Sequence, residues 1–131
     1  MSRANTAELV AKSVVVDQTP SRLMLNDKTL RVVFPTTVDP HYVNLFNNGS
    51  IARQYYVRVA SGTSESMRNV SRESVLEMLV PIPPLAEQKR IVSKVTELLS
   101  LCDSLEAKLT QAESASSQLL SASVHHLLKR L

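Results

Sequence analysis

The 131 residues predict an α/β chain of the α+β type: a small partial sheet with short helices, then one very long C-terminal coiled-coil helix. Three observations carry that expectation. The apolar runs at residues 14–16 and 30–34 are rich in valine, whose stiff branched side chains suit strands. Asp39-Pro40, Ser50 and Ser71 stand where short helices need caps. From Leu85 onward no proline or glycine interrupts the chain, and Ile91, Val95, Leu98, Cys102, Leu105, Leu109 and Ala112 recur at alternating steps of four and three. Leu119 follows one heptad after Ala112. The mean step of about 3.5 is the period of a left-handed coiled-coil seam.

Taken in order, residues 8–17 read as a strand buried on both faces. Thr19-Pro20-Ser21 and Asn26-Asp27 supply turn chemistry on either side of Leu23-Met24-Leu25. Residues 29–34 read as a second strand, stopped by Pro35. A helix opening at Pro40 places Tyr42, Val43, Leu45 and Phe46 inward. It ends at Asn47-Asn48-Gly49, where glycine offers left-handed geometry. Ser50 then caps a helix over 51–60 with Ile51, Tyr55 and Val59 on one face. Residues 61–66 form a polar loop and 67–70 a short strand. Ser71 caps a brief helix over 72–76, with Glu73 near its positive end. Residues 78–82 read as a last strand, which Pro81 confines to a sheet edge or end.

Pro83-Pro84 set up the long helix, since proline is tolerated where the N–H lacks an intrahelical partner, and Glu87 adds favourable charge. Helical from 85 to 129, it reaches about 65 Å at about 1.5 Å per residue, so it should project, and something must cover its seam. Lys94, Glu97, Asp103, Glu106 and Lys108 flank that seam in mixed sign. Further on, Ser116 and Ser123 replace large apolar residues, and the stripe shifts phase to Leu120, Val124, Leu127, Leu128 and Leu131. Small residues there permit close approach of another element. Equally, they describe a weaker segment, since serine is a mediocre helix former.

Composition narrows the function. Aromatics make up 4% of the chain, without tryptophan, so a large core is not expected. The net charge of +3 permits nucleic-acid contact without demanding it. A single cysteine, Cys102, excludes an internal disulfide or a cysteine zinc site and suits a reducing compartment. No apolar run approaches a membrane span and no signal-peptide pattern opens the chain, so a soluble cytoplasmic protein is expected.

A catalytic site does not emerge. Gly49 and Gly62 are too far apart to form a phosphate loop. His125-His126 has no carboxylate or cysteine at ligand spacing and reads as solvated or packing histidine, so no metal is expected. Cys102 falls on the seam, which favours packing over nucleophilic chemistry. The acids are scattered. The chain reads as a non-enzyme without a cofactor.

Binding is better supported. Arg53, Arg58, Arg68 and Arg72 stand against the single Glu65 between 51 and 72, with Tyr55, Tyr56, Thr63, Ser64, Ser66 and Asn69 among them. Arginine can bridge phosphates or reach guanine edges, asparagine can pair with adenine, and hydroxyls can reach phosphate oxygens. Against this stands an ordinary solvated surface with its arginines paired to acids. Arg3 and Asn5 form a second, weaker cluster.

At this point a family resemblance emerges. The run Val80-Pro-Ile-Pro-Pro-Leu-Ala-Glu-Gln-Lys-Arg-Ile-Val92, with Leu98 and Cys102-Asp-Ser-Leu-Glu106 beyond it, resembles the hinge and spacer helix of type I restriction–modification specificity subunits. Ala60-Ser-Gly-Thr-Ser-Glu-Ser-Met-Arg-Asn-Val70 resembles the segment before that helix, and Ser2-Arg-Ala-Asn-Thr-Ala-Glu-Leu-Val10 a stretch within a target-recognition domain. The resemblance covers most of residues 2–110, and its Pro-Pro-Leu-Ala-Glu-Gln element is the specific part.

The resemblance implies a non-catalytic subunit. In a complete one, two target-recognition domains each read half of a split site on double-stranded DNA. Two spacer helices pack as an antiparallel coiled coil, and modification (methyltransferase) and restriction subunits dock on this scaffold. It implies an incomplete recognition domain over 1–80, a proline hinge at 81–84 and a spacer helix over 85–131, as a fragment or half-subunit. A second copy is expected to pair through the helix, parallel or antiparallel. The alternative is a coiled-coil protein–protein module without direct DNA binding.

Overall fold

The computed structural model describes residues 1–64 and 67–129, with the side chains of 63 and 122–128 not among what it describes. The sequence readings at Thr63, Glu65, Ser66, Ser123, Val124, His125, His126, Leu127, Leu128 and Leu131 thus lie outside the described side chains. Elements run β1 (Ala4–Asn5), α1 (Pro40–Asn48), α2 (Ser50–Val59), β2 (Ser61–Ser64), β3 (Met67–Asn69), α3 (Arg72–Leu76) and α4 (Leu85–Leu128). This is the α+β arrangement expected, with one long terminal helix.

Capping chemistry places the short helices. The Asp39 carboxylate accepts from the His41 N–H at 2.8 Å, with Pro40 as the first helical residue of α1. Ser71 Oγ accepts from the Ser74 N–H at 3.0 Å and opens α3. Between α1 and α2, Gly49 closes one helix and opens the next at φ −75° and ψ 166°. The left-handed glycine expected there is therefore replaced by an extended residue. Ser50 becomes the first residue of α2 and not its cap. The buried face of α2 is likewise rotated by one position: Ala52 and Tyr56 are buried, while Ile51 is 68% exposed and Tyr55 and Val59 pack at the core's edge.

The sheet is antiparallel, in the order β1-β3-β2, pairing Ala4 with Asn69, Asn5 with Arg68, Ser61 with Asn69 and Ser64 with Met67. The segment expected as a polar loop supplies the edge strand β2. Gly62 allows it to lie against β3: its φ is 138°, and a Cβ there would fall 2.5 Å from the Met67 carbonyl oxygen.

Three expected strands are absent. Residues 8–17 make a turn and then an irregular segment, with Val14 75% and Val16 60% exposed, not buried on both faces. Residues 29–34 contribute one isolated bridge, Thr29 to Ser2, and 78–82 are irregular. Valine-rich segments suit a pleated surface but need a ladder partner to become strands. Beyond local turn bonds, among the described residues 8–17 and 29–34 reach only Met1 and Ser2 by backbone bonds, at Ala11, Lys12 and Leu30, and no ladder extends from there.

Val10, Ala11, Ala52, Tyr56 and Val70 form the core, with Phe46, Tyr55, Val59, Val75 and Met78 packed around them. A polar network sits beside it. Tyr56 Oη donates to Asn47 Oδ1 at 2.9 Å, and Asn47 Nδ2 donates to the Ala11 carbonyl and to Ser13 Oγ, each at 2.9 Å. These bonds tie α1 and α2 to the turn at 7–11, where Ala11 holds φ 60° while fully buried.

The chain divides into two compact units, Met1–Val92 and Ser93–Leu131. The first includes the opening turns of α4, and Gln88 fixes them. This side chain is fully buried: Oε1 accepts from the Asp39 N–H at 2.8 Å, and Nε2 donates to the carbonyls of Pro83 at 2.8 Å and Thr37 at 3.2 Å. Every polar atom of a buried amide is thereby satisfied. Pro84, just before the helix, supplies the carbonyl that accepts from the Glu87 and Gln88 N–H groups.

The second unit consists of the remainder of α4. Leu98, Leu105, Leu109 and Leu119 are 49–70% exposed along it, and Cys102 is exposed. Among the described residues no helix is long and apolar enough to cross a membrane.

Candidate nucleic-acid interface

The sequence separates an N-terminal cluster, Arg3 and Asn5, from Arg68, Asn69 and Arg72. The sheet brings them together. Because β1 pairs with β3, Asn5 lies opposite Arg68 and Ala4 opposite Asn69. Arg3 Nε donates to the Val70 carbonyl at 3.2 Å, which anchors it beside the end of β3. Arg3 and Arg72 also both act on Glu73. Its exposed carboxyl is held below the usual carboxylate range by its own backbone N–H, then by the Ser71 hydroxyl and by these two guanidinium groups. Charges separated by most of seventy positions in sequence thus converge around β3 and the start of α3.

Within this group the residues differ. Arg68 NH1 donates to the Gly62 carbonyl at 3.4 Å, and among the described residues its Nε is buried without a partner. Asn5 Oδ1 accepts from the Thr6 N–H at 2.9 Å. Ser64 lies exposed at the end of β2, Ser61 Oγ meets the Asn69 carbonyl at 3.4 Å, and Arg72 is exposed.

Arg58 sits in the last turn of α2, exposed, with its guanidinium carbon 5.8 Å from the Tyr55 ring centre. The ring orients the cation without neutralising it. Tyr55 is itself fixed, because its hydroxyl donates to the Ser74 carbonyl at 2.8 Å. Neither Arg58 nor Arg72 forms a salt bridge among the described residues, and Arg72 interacts with Glu73 at longer range.

Arg53 is different. NH1 donates to the Val10 carbonyl at 2.6 Å, and NH2 to Glu8 at 3.1 Å and Ala7 at 3.3 Å. The fork closes the turn that positions Val10 and Ala11 in the core. Burial lowers its pKa, and the nearby Tyr56 phenol partly offsets this. Its geometry is that of a structural clamp, which separates it from the arginines presented to solvent.

Two buried groups were missed in the sequence, Asn47 and Gln88. A polar side chain one turn inside a helix start, next to prolines whose carbonyls lack ladder partners, is the signal that could have identified Gln88. The described residues hold no cluster of three or more His, Cys, Asp or Glu side chains able to ligate a metal.

No protein-family model matches the chain. Several curated type I restriction enzyme specificity subunits do, in agreement with the resemblance read from the Pro-Pro-Leu-Ala-Glu-Gln region. The EcoEI specificity subunit of Escherichia coli is 28% identical over 123 residues, which is 93% of this chain and 21% of that protein. The EcoKI specificity subunit of Escherichia coli strain K12 is 27% identical over 90 residues, covering 69% of this chain and 19% of that protein. The EcoBI specificity subunit of Escherichia coli is 40% identical over 52 residues, covering 40% and 11%. The chain spans about a fifth of the length of the first two relatives.

Proposed function

We propose that this chain is a non-catalytic DNA-recognition and scaffold component of a type I restriction–modification complex. The observation that carries the reading is the match to specificity subunits along nearly the whole chain. The convergence of Arg3, Asn5, Arg68, Asn69 and Arg72 around β3 and the start of α3 supports it. Residues 1–80 act as part of a target-recognition domain, 81–84 as the joint and 85–131 as the spacer helix. Arg58, Arg72 and Arg3 supply phosphate contacts, and Asn5, Ser64, Arg68 and Asn69 are the polar groups nearest to a bound duplex. Thr63 belongs to the same strand. Modification and restriction subunits are the protein partners, the compartment is the cytoplasm, and methylation and cleavage reside in those other subunits.

Binding led by arginine–phosphate contacts releases counterions, so affinity for double-stranded DNA should fall steeply with salt. Three such contacts give a slope of roughly −3 in log K against log salt. The measurement is fluorescence anisotropy of a labelled duplex with the chain assembled with its modification subunits. An interaction independent of salt, or none in the assembled complex, overturns the DNA assignment.

A second reading is a protein–protein module without DNA contact. The exposed seam from Leu98 to Leu119 favours it, because a row of leucines at coiled-coil spacing is built for another helix. It predicts capture of the modification subunit irrespective of DNA. In either reading the seam residues Ile91, Val95, Leu98, Cys102, Leu105, Leu109, Ala112 and Leu119 form the pairing surface, and two copies associate through it.

A further inference from the structure

The valine-rich segments that find no ladder stand on either side of one short stretch of backbone. The Met1 nitrogen donates to the Leu30 carbonyl at 3.1 Å, and the Leu30 N–H donates to the Met1 carbonyl at 2.9 Å, the closely spaced pair of an antiparallel ladder. On the other side the Ser2 N–H donates to the Lys12 carbonyl at 3.0 Å, and the Ser2 carbonyl accepts from the Ala11 N–H at 2.8 Å. Two residues there oppose one, and the first of them, Ala11, holds φ 60°, which is an antiparallel β-bulge with a left-handed first residue. Met1–Ser2 is thus the middle of three antiparallel lines of backbone.

By that antiparallel sense, the residues after 12 and after 30 lead away past the Met1 end. Ser13 is pinned to α1, its hydroxyl donating to Asn44 Oδ1 at 2.8 Å and its N–H to Asn48 Oδ1 at 3.2 Å. Beyond it, among the described residues, the backbone of 14–17 and of 31–34 forms no hydrogen bond. Val14 and Val33 are 75% and 74% exposed, and Val16 and Val32 are exposed as well. Water can bond the free peptide groups but leaves the valines uncovered.

We infer that these two edges form a slot for one extended apolar strand, in line with Met1 and antiparallel to both neighbours, supplied by recognition-domain polypeptide outside the span matched here. One strand fits because Met1–Ser2 already lies between the two lines, at a ladder spacing of about 4.8 Å from each. The edge of a second copy would pair with one side and leave the other open. Valine on both edges selects β-branched residues in the occupant. The match covers 21% and 19% of the first two relatives, so most of their polypeptide lies outside it. The strand's source rests on the recognition-domain reading above; the slot itself does not.

The register follows from the bonds already made. With Ser2 opposite Ala11–Lys12 and Met1 opposite Leu30, the occupant residue next to Met1 opposes Val14 and Arg31, and the strand runs on to Asp17 and Phe34. Pro35, without an N–H, ends that side. Bonding direction alternates along a strand, so Val14 and Val16 turn their N–H groups into the slot from one edge, Val32 and Phe34 from the other. Val15 and Val33 turn theirs away.

The test fuses Lys-Thr-Val-Ile-Val directly ahead of Met1 in the full chain, with a glycine–serine extension of equal length as control, and follows amide exchange by NMR. The valine extension should slow exchange at Val14, Val16, Val32 and Phe34 by at least about tenfold and leave Val15 and Val33 fast. The control should leave all six fast, and unchanged exchange at Ala52 and Tyr56 shows that the core is intact in both. No slowing at the four, or slowing at Val15 and Val33 instead, overturns the proposal, because ladder bonds form through the backbone whatever the side chains. Slowing that appears in the unextended chain as its concentration rises also overturns it, since a second copy then covers the edges. The anisotropy experiment judges the DNA assignment separately: a slot that fills, in a chain whose assembled complex ignores DNA, keeps the strand site and removes the recognition reading.

Discussion

At Tyr56 a small core and a polar network meet. Its ring is buried, and its hydroxyl is satisfied by Asn47, which in turn holds the Ala11 carbonyl. Tyr56→Phe keeps the ring and strands Asn47 Oδ1, at a cost of about 1–2 kcal/mol in chemical denaturation. Burial, and then the neighbouring Tyr55, push the Tyr56 pKa above its ordinary value of 10.0, and Arg53 partly opposes this. With the folded value raised, the contribution is fully present below pH 10.0 and is lost as pH rises through the folded pKa. Wild type should therefore lose stability above that pH more steeply than Tyr56→Phe does. Arg53 offers a second discrimination. Because its fork serves three backbone carbonyls, Arg53→Ala should lower stability by about 2–3 kcal/mol. Arg58→Ala and Arg72→Ala should weaken DNA binding and leave the melting temperature unchanged within about a degree. A DNA defect in Arg53→Ala without any loss of stability would contradict the clamp.

Among the elements, the junction into α4 is the most constrained. Gln88 joins residues 37, 39 and 83, and its three hydrogen bonds lie where water does not compete. Gln88→Leu preserves bulk but orphans the Asp39 N–H and two carbonyls, which should cost about 2–4 kcal/mol in urea unfolding. A neutral outcome would mean that the junction relaxes to let water in. This element also shows what could be read from the chain beforehand. Local chemistry was legible: Asp39-Pro40, Ser71 and the proline pair predict α1, α3 and α4 to within a residue, because caps and proline act within one turn. Long-range pairing was not. The valine runs have strand character but no ladder, while Ser61–Ser64 becomes a strand because Gly62 admits a close approach to Met67, a property of the partner and not of the segment. The interface followed the same rule. Its residue types were visible, but the union of Arg3 and Asn5 with Arg68 required a β1–β3 register that no local pattern encodes.

For the whole molecule, the division into Met1–Val92 and Ser93–Leu131 predicts two stabilities within one continuous helix. Turns around Gln88 open only when the first unit unfolds, since a buried amide and the residues it joins must separate. Beyond residue 92 the helix gains nothing from a core of its own, because Leu98, Leu105 and Leu109 remain about half exposed or more. A helix held by propensity alone is marginal, and serine at 114, 116 and 117 weakens it further. Pairing changes this by mass action: a second copy that covers the leucines stabilises the folded helix in proportion to its concentration. Amide hydrogen exchange measured across a dilution series is the direct check. Amides at 86–91 should exchange at one slow rate throughout. Those at 98–112 should exchange rapidly in dilute solution and slow by at least about tenfold as the chain is concentrated. Leu98→Glu with Leu105→Glu should abolish that slowing without altering the turns around Gln88, because the substituted side chains lie on the seam and outside the first unit. If both regions instead exchange together, and independently of concentration, the helix is a single stable rod that needs no partner, and its leucines serve some other contact.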